Sequence, residues 1–197
     1  MTHGLPQSLG IVSDDAGQFN ILDHALCWIH AERTLNKIIP SNDKEREALQ
    51  EIREQLWKLY NDLKAYKAAP TEAEKQALAV RFDTLFTTKT CDATLNLALK
   101  RLHANKSELL RVLERPEIPL HNNLSEQDIR EYVKRRKISG STRSELGRQA
   151  RDTFTSLKKT CRKLGVSFWK YLKDRTGQLY QIPPLSELIQ QRALAPD

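Results

Sequence analysis

Cysteine, glycine and long apolar runs are all scarce in this chain, and each scarcity excludes something. Three cysteines in 197 residues, Cys27, Cys91 and Cys161, are too few and too scattered for a disulfide framework, so a reducing, cytoplasmic setting is expected. The longest apolar run, Ala25 to Ile29, falls far short of the roughly 20 residues a membrane-spanning helix needs, and no membrane partner is expected. Met1 to Gly10 carries neither a basic patch nor an apolar centre, so it does not read as a secretory signal. Glycine is missing altogether between Ser41 and Arg115, which suits a helical stretch.

What is abundant is positive charge, and it is unevenly placed. Of 32 Lys+Arg and 25 Asp+Glu, the segment Gln127 to Thr176 holds 15 and 5, a local balance of +10, while the other residues sum to −3. Such clustering marks a face for phosphate backbones, and DNA is the expected partner; solvated basic helices are the plainer alternative.

Along the chain, Leu9 to Ser13 is a brief apolar stretch stopped by Asp14-Asp15-Ala16-Gly17, the form of a buried strand ending in a turn. From Asp23 to about Ile39 the spacing of Leu22, Leu26 and Ile29 predicts a helix, closed by Pro40. Residues 1–40 thus read as a strand plus a helix. Residues 41–115 are nearly neutral, 14 Lys/Arg against 12 Asp/Glu, and read as a helical insertion. Leu49, Ile52, Leu56, Leu59, Leu63 and Tyr66 alternate steps of three and four, Thr71-x-x-Glu74 is a capping box, and Leu78, Phe82, Leu85 and then Leu95, Leu99, Leu102 mark two further helices. None is long or apolar enough to stand alone, so a small bundle is expected.

Residues 116–176 form the basic part. Asn123-x-x-Glu126 is expected to cap a helix whose Ile129, Tyr132 and Val133 face inward while Arg130, Lys134, Arg135, Arg136 and Lys137 carry charge. A loop at Ser139-Gly140-Ser141 leads to a second capping box, Thr142-x-x-Glu145, and a two-faced helix: Leu146, Ala150, Phe154, Leu157, Cys161 and Leu164 inward, Arg148, Arg151, Lys158 and Arg162 outward. Gly165 ends it, Ser167 caps the next, and residues 177–197, with Pro183-Pro184, read as a loosely held tail.

Three constellations bear chemistry. Asp14, after a strand, and Glu126, in a first helical turn, are carboxylates at element ends that suit Mg²⁺ and phosphodiester displacement; as isolated residues they equally suit a turn and a cap. Cys27 and His30 share a helix face, but no second paired spacing completes a four-ligand zinc set, so a structural role is expected. Thr142 and Arg143 stand at a helix start, where phosphate is attracted, beside the basic stripe.

Taken together, Ser13-Asp14-Asp15, His24 to Arg33 with its Cys-Trp-x-His, the helical stretch, His121-Asn122-Asn123-Leu124-Ser125-Glu126 and Arg135 to Arg143 resemble the catalytic part of bacterial insertion-sequence transposases of the insertion-sequence sixty-six type, which carry an Asp-Asp-Glu triad. The resemblance spans Gly10 to about Arg175. It implies α/β ancestry, mostly α in this chain: a partial RNase-H-like core, an all-helical insertion and basic C-terminal helices. It also implies that Asp14 and Glu126 are the second and third metal-holding carboxylates, that Mg²⁺ serves the complete enzyme, and that transposon ends and target DNA are bound in the bacterial cytoplasm, at the nucleoid. The early strands and first aspartate are expected upstream of Asp14 and absent here, so the chain is expected to be inactive alone and to need an N-terminal transposase part or a full-length copy. A non-catalytic DNA-binding or transposase-regulating module is the alternative. Gln127 and Ser125 depart from the family's more frequent arginine and alanine.

Overall fold

The computed structural model describes residues 10–15, 23–140 and 142–194, with the side chains of Arg135, Ser139, Ala193 and Leu194 left aside. Leu9, Ala16, Gly17, Leu22 and Ser141, used above, lie outside these residues. The chain is mostly helical and clusters into two compact units, 1–123 and 124–197.

In unit 1, strands β1 (Gly10–Ser13) and β2 (Asp23–Leu26) pair in parallel, Gly10 opposite Asp23 and Ser13 opposite Leu26. This corrects the expected helix over Asp23–Ile39: its first four residues are a strand, and helix α1 spans Trp28–Asn36. The ladder continues past β2, where the Cys27 amide donates to the Ser13 carbonyl at 2.9 Å, and the Trp28 amide donates to the Leu120 carbonyl at 3.0 Å. These satisfy donors that open a helix and would otherwise be orphaned.

Then follow α2 (Asp43–Tyr66), α3 (Glu72–Phe86), α4 (Ala93–Ala104), the single turn α5 (Lys106–Leu109) and a 3-10 turn at Arg111–Leu113. All six seam residues of α2 are buried, from Leu49 to Tyr66, as the three-four spacing predicts. Helix starts are fixed by side chains: Glu45 N–H donates to Asn42 Oδ1, Glu74 N–H to Thr71 Oγ1, and Thr94 N–H to Asp92 Oδ1. The core is continuous, with Leu26, Trp28 and Leu35 packed among the leucines of α2, α4 and α5 and with Phe82 and Phe86 of α3. The strand pair and α1 therefore rest on the helices, not beside them.

Unit 2 comprises α6 (Asn123–Ser139), α7 (Glu145–Lys163), α8 (Phe168–Thr176) and α9 (Leu185–Leu194). Two helix starts differ from expectation. Helix α6 begins at Asn123 itself, and Ser144, not Thr142, caps α7, its hydroxyl accepting from the Gly147 amide at 3.1 Å. Ser144 stands three residues before Gly147, the spacing the cap needs. Helix α7 ends in a Schellman turn: Gly165 takes φ +72°, and the Val166 amide reaches the Cys161 carbonyl at 2.8 Å. Cys161 is fully buried with Tyr171 and Leu185, and burial pushes its thiol pKa up. Leu185 belongs to α9, so the stretch expected as a loose tail packs into this core. The expected inward stripe of α7 is buried only toward its C-terminal end. Leu146 is 78% exposed and Phe154 49%.

The seam between α6 and α7 is ionic. Asp128 meets Lys163 at 2.6 Å and Lys159 at 3.3 Å, Glu131 meets Lys158 at 3.6 Å, and the Tyr132 hydroxyl donates to Asp152 at 2.9 Å. The ammonium of Lys163, then that of Lys159, holds Asp128 below the usual carboxylate range; the Tyr132 hydroxyl and Arg151 do the same for Asp152. A carboxylate with a depressed pKa stabilises the fold above its unfolded value of about 3.9 and stops doing so as pH falls through its folded value. Acidification from pH 7 to below 4 is therefore expected to loosen α6 from α7 before the apolar core of unit 1 melts. Amide hydrogen exchange across 124–163 measures this; protection unchanged down to pH 3 contradicts it.

Candidate functional site

Asp14 follows the last residue of β1, where the chain leaves the ladder, and the strand end is tied from several sides. The Ser13 hydroxyl donates to the Asp14 carbonyl at 2.7 Å and lies 2.7 Å from His24 Nε2 on the neighbouring strand. His24 Nδ1 stands 3.0 Å from Glu108 Oε1. Ser13 and His24 are both buried. At the other end of β2, Asp23 pairs with Arg111 at 3.1 Å and Arg115 at 2.6 Å, whose pKa this contact raises. Ser13 and His24 meet across the paired strands, 11 positions apart, whereas Glu108, Arg111 and Arg115 lie more than 80 positions from their partners, and only the fold brings them together.

The half-buried Asp14 lines a cleft of about 490 Å³ formed with Asp15, Cys27, His30, Arg33, Thr34, Lys37, Arg101 and Asn105, among others. The adjacent acid, Asp15, is engaged: Arg101 Nε donates to its Oδ2 at 2.9 Å and Asn105 Nδ2 to its Oδ1 at 3.3 Å. Cys27 is buried at the floor, and its amide extends the ladder to Ser13. His30 accepts from Arg33 Nη1 through Nε2 at 3.2 Å, since an arginine has donors only.

In unit 2, Glu126 lies in the first turn of α6, partly buried. Its helix face continues through Arg130, Lys134 and Lys137, at steps of four, four and three, all exposed. Asp128, Glu131 and Tyr132 lie on the side that meets α7. Arg136, Thr142, Arg143 and Arg162 are exposed as well, while the Arg135 side chain is outside the described set. The remaining expected DNA contacts have partners inside the protein. Arg148 binds both oxygens of Glu145 (2.6 and 2.9 Å), Arg151 stacks over the Tyr132 ring at 4.8 Å beside Asp152, and Lys158 faces Glu131.

Carboxylate oxygens suit a hard divalent ion. Among the described residues no group of three or more His, Cys, Asp or Glu stands close enough to hold one. Cys27 and His30 are expected to serve structure. Metal analysis of the purified protein is expected to return no stoichiometric zinc, and a one-to-one content that disappears in Cys27→Ser would overturn the structural assignment of this pair.

An aspartate at a strand end, a cleft lined in part by Arg33, Lys37 and Arg101, and a glutamate leading a basic helix face occur in one chain. The sequence model described as Transposase IS66 family matches residues 11–150, and the chain belongs to that family. It is 48% identical over 192 residues to "Uncharacterized protein y4jO" of Sinorhizobium fredii (strain NBRC 101917 / NGR234), an alignment covering 97% of this chain and 60% of that protein. The chain thus spans 60% of the length of this curated relative. No solved structure matches it. No helix among the described residues is long and apolar enough to cross a membrane.

Proposed function

We propose that the chain serves DNA transposition as part of an Asp-Asp-Glu transposase, binding DNA and supplying Asp14 and Glu126 as two of three metal-holding carboxylates. The observation that carries this reading is that the family match, 11–150, runs through Asp14, Cys27, His30 and Glu126 in one continuous stretch. On this reading 1–40 descends from an RNase-H-like core, 41–115 is its helical insertion, 116–176 completes the core with basic helices, and 177–197 adds α9, which packs on α7 and α8. The third carboxylate comes from a transposase part or full-length copy carrying the early strands; the greater length of the curated relative leaves room for them. Mg²⁺, when bound in the complete enzyme, would activate the attacking oxygen and steady the leaving one. This chain's own residues hold the Asp14 strand end rigid and present cations to phosphates. Its work is done at the bacterial nucleoid.

Among the expected DNA contacts, Arg130, Lys134 and Lys137 come first, because they share the Glu126 face and engage no carboxylate among the described residues. Duplex DNA should bind the 197-residue protein with a salt slope that drops by about 2.7 in the triple alanine variant, roughly 0.9 per lost phosphate contact. Arg148→Ala/Arg151→Ala should change it less, since both side chains already have protein partners. The purified stretch is expected not to nick DNA in Mg²⁺. Nicking that vanishes in Glu126→Gln contradicts the inactivity, and absence of DNA binding contradicts the reading as a whole.

A further inference from the structure

The geometry points to a second phosphate-binding surface, outside the basic segment: the Arg33 and Lys37 wall of the Asp14 cleft, which takes the sugar-phosphate backbone of a DNA strand. This rests on the proposed function and places the strand at Asp14 itself.

Residues 1–123 carry 16 Lys/Arg against 17 Asp/Glu, so overall charge gives this unit no reason to attract DNA. Half of its 16 Lys/Arg pair with carboxylates, as in Arg53–Glu32, Lys75–Glu114, Lys106–Asp83 and Arg115–Asp23. Among the other half, Arg33 and Lys37 are set apart by their place on the cleft. Both are exposed, neither meets a carboxylate among the described residues, and both line the cleft. Their placement follows from α1: Trp28, Ala31, Glu32 and Leu35 face the core, which leaves His30, Arg33, Thr34 and Lys37, at steps of three, one and three, on the opposite side. His30 takes one of the five guanidinium N–H donors of Arg33 and so fastens the side chain against the cleft rim, leaving the others for phosphate oxygens.

Two acids in the same cleft would oppose an anion, but Arg101 offsets Asp15, so with Arg33 and Lys37 the cleft carries three cations against two carboxylates. Its volume, about 490 Å³, is within the range of about 300–1,000 Å³ found for ligand clefts. Cations at the C-terminal end of a helix also complement its dipole. That accounts for their charge and not for their position on the wall that holds Asp14.

The test uses the whole 197-residue protein and a fluorescent single-stranded oligonucleotide, with binding measured across a salt series. Arg33→Ala/Lys37→Ala is expected to lower the slope of log affinity against log salt by about 1.4, roughly 0.7 per contact on a single strand. A second measurement needs no variant: bound oligonucleotide should shield Lys37 from acetylation while leaving exposed Lys58 and Lys64 of α2 unchanged. An unchanged slope, or an unshielded Lys37, with wild-type binding intact overturns this surface and leaves the proposed function standing. A wild-type protein that binds no DNA at low salt overturns both.

Discussion

Replacing Trp28 with alanine is expected to unfold most of unit 1 near physiological temperature. The side chain is 1% exposed, its indole N–H donates to the Leu109 carbonyl at 2.9 Å, and its ring meets Phe82 edge-on at 6.2 Å and Phe86 at 6.5 Å. One residue thus joins α1 to α3 and α5. A large-to-small change of this kind costs about 3–5 kcal/mol, and the abandoned Leu109 carbonyl adds about 1–3 kcal/mol if water cannot reach it. Domains of this size hold about 5–15 kcal/mol in all. Chemical unfolding followed by circular dichroism gives the answer, and a midpoint within error of wild type would show that the core collapses around the gap.

On the proposed function, in a transposase polypeptide that contains this stretch, Glu126→Gln and Asp14→Asn are each expected to reduce transposition frequency by at least about 100-fold. Each change keeps the side-chain shape and removes only the charge, so the expected loss is chemical. A metal-stabilised transition state draws several kcal/mol from its ligand field, and about 1.4 kcal/mol is a factor of ten in rate. Asp15→Asn is the internal control. Asp15 already spends its charge on Arg101, so its loss should leave most activity, as a partly exposed ion pair is worth about 0–1 kcal/mol. If Asp15→Asn proved as damaging as Asp14→Asn, the choice between the two acids would have to be reversed.

The legible parts of the fold were those written in short-range periodicity. Leu49 to Tyr66 announced α2 because a buried face recurs every three or four residues, and Thr71, Ser167 and Gly165 announced ends because capping is local chemistry. Strand β2 was not legible. His24-Ala25-Leu26 is a short buried run with no polar alternation, and Leu26 with Ile29 mimics a helical step although a strand-to-helix junction lies between them at Cys27. The α7 pattern misled in another way: a helix can be two-faced while only its C-terminal half, from Leu157 on, finds something to cover it. At the candidate site, the resemblance is what singles out Asp14 and Glu126 for the proposal, whereas Ser13–His24–Glu108 and Asp15–Arg101 could not be read, since pairs 84 and 86 positions apart leave no mark on local spacing.

Those distant ties also set an order of events as the chain folds. Helices α2, α3 and α4 need only neighbours in sequence, so they form early. The strand pair must wait for Glu108, Arg111, Arg115 and Leu120 to be made and to return across some 85 to 95 residues. Closing loops of that size is slow compared with winding helices. During synthesis the Asp14 cleft is consequently the last part of unit 1 to take shape, after the scaffold that supports it already stands.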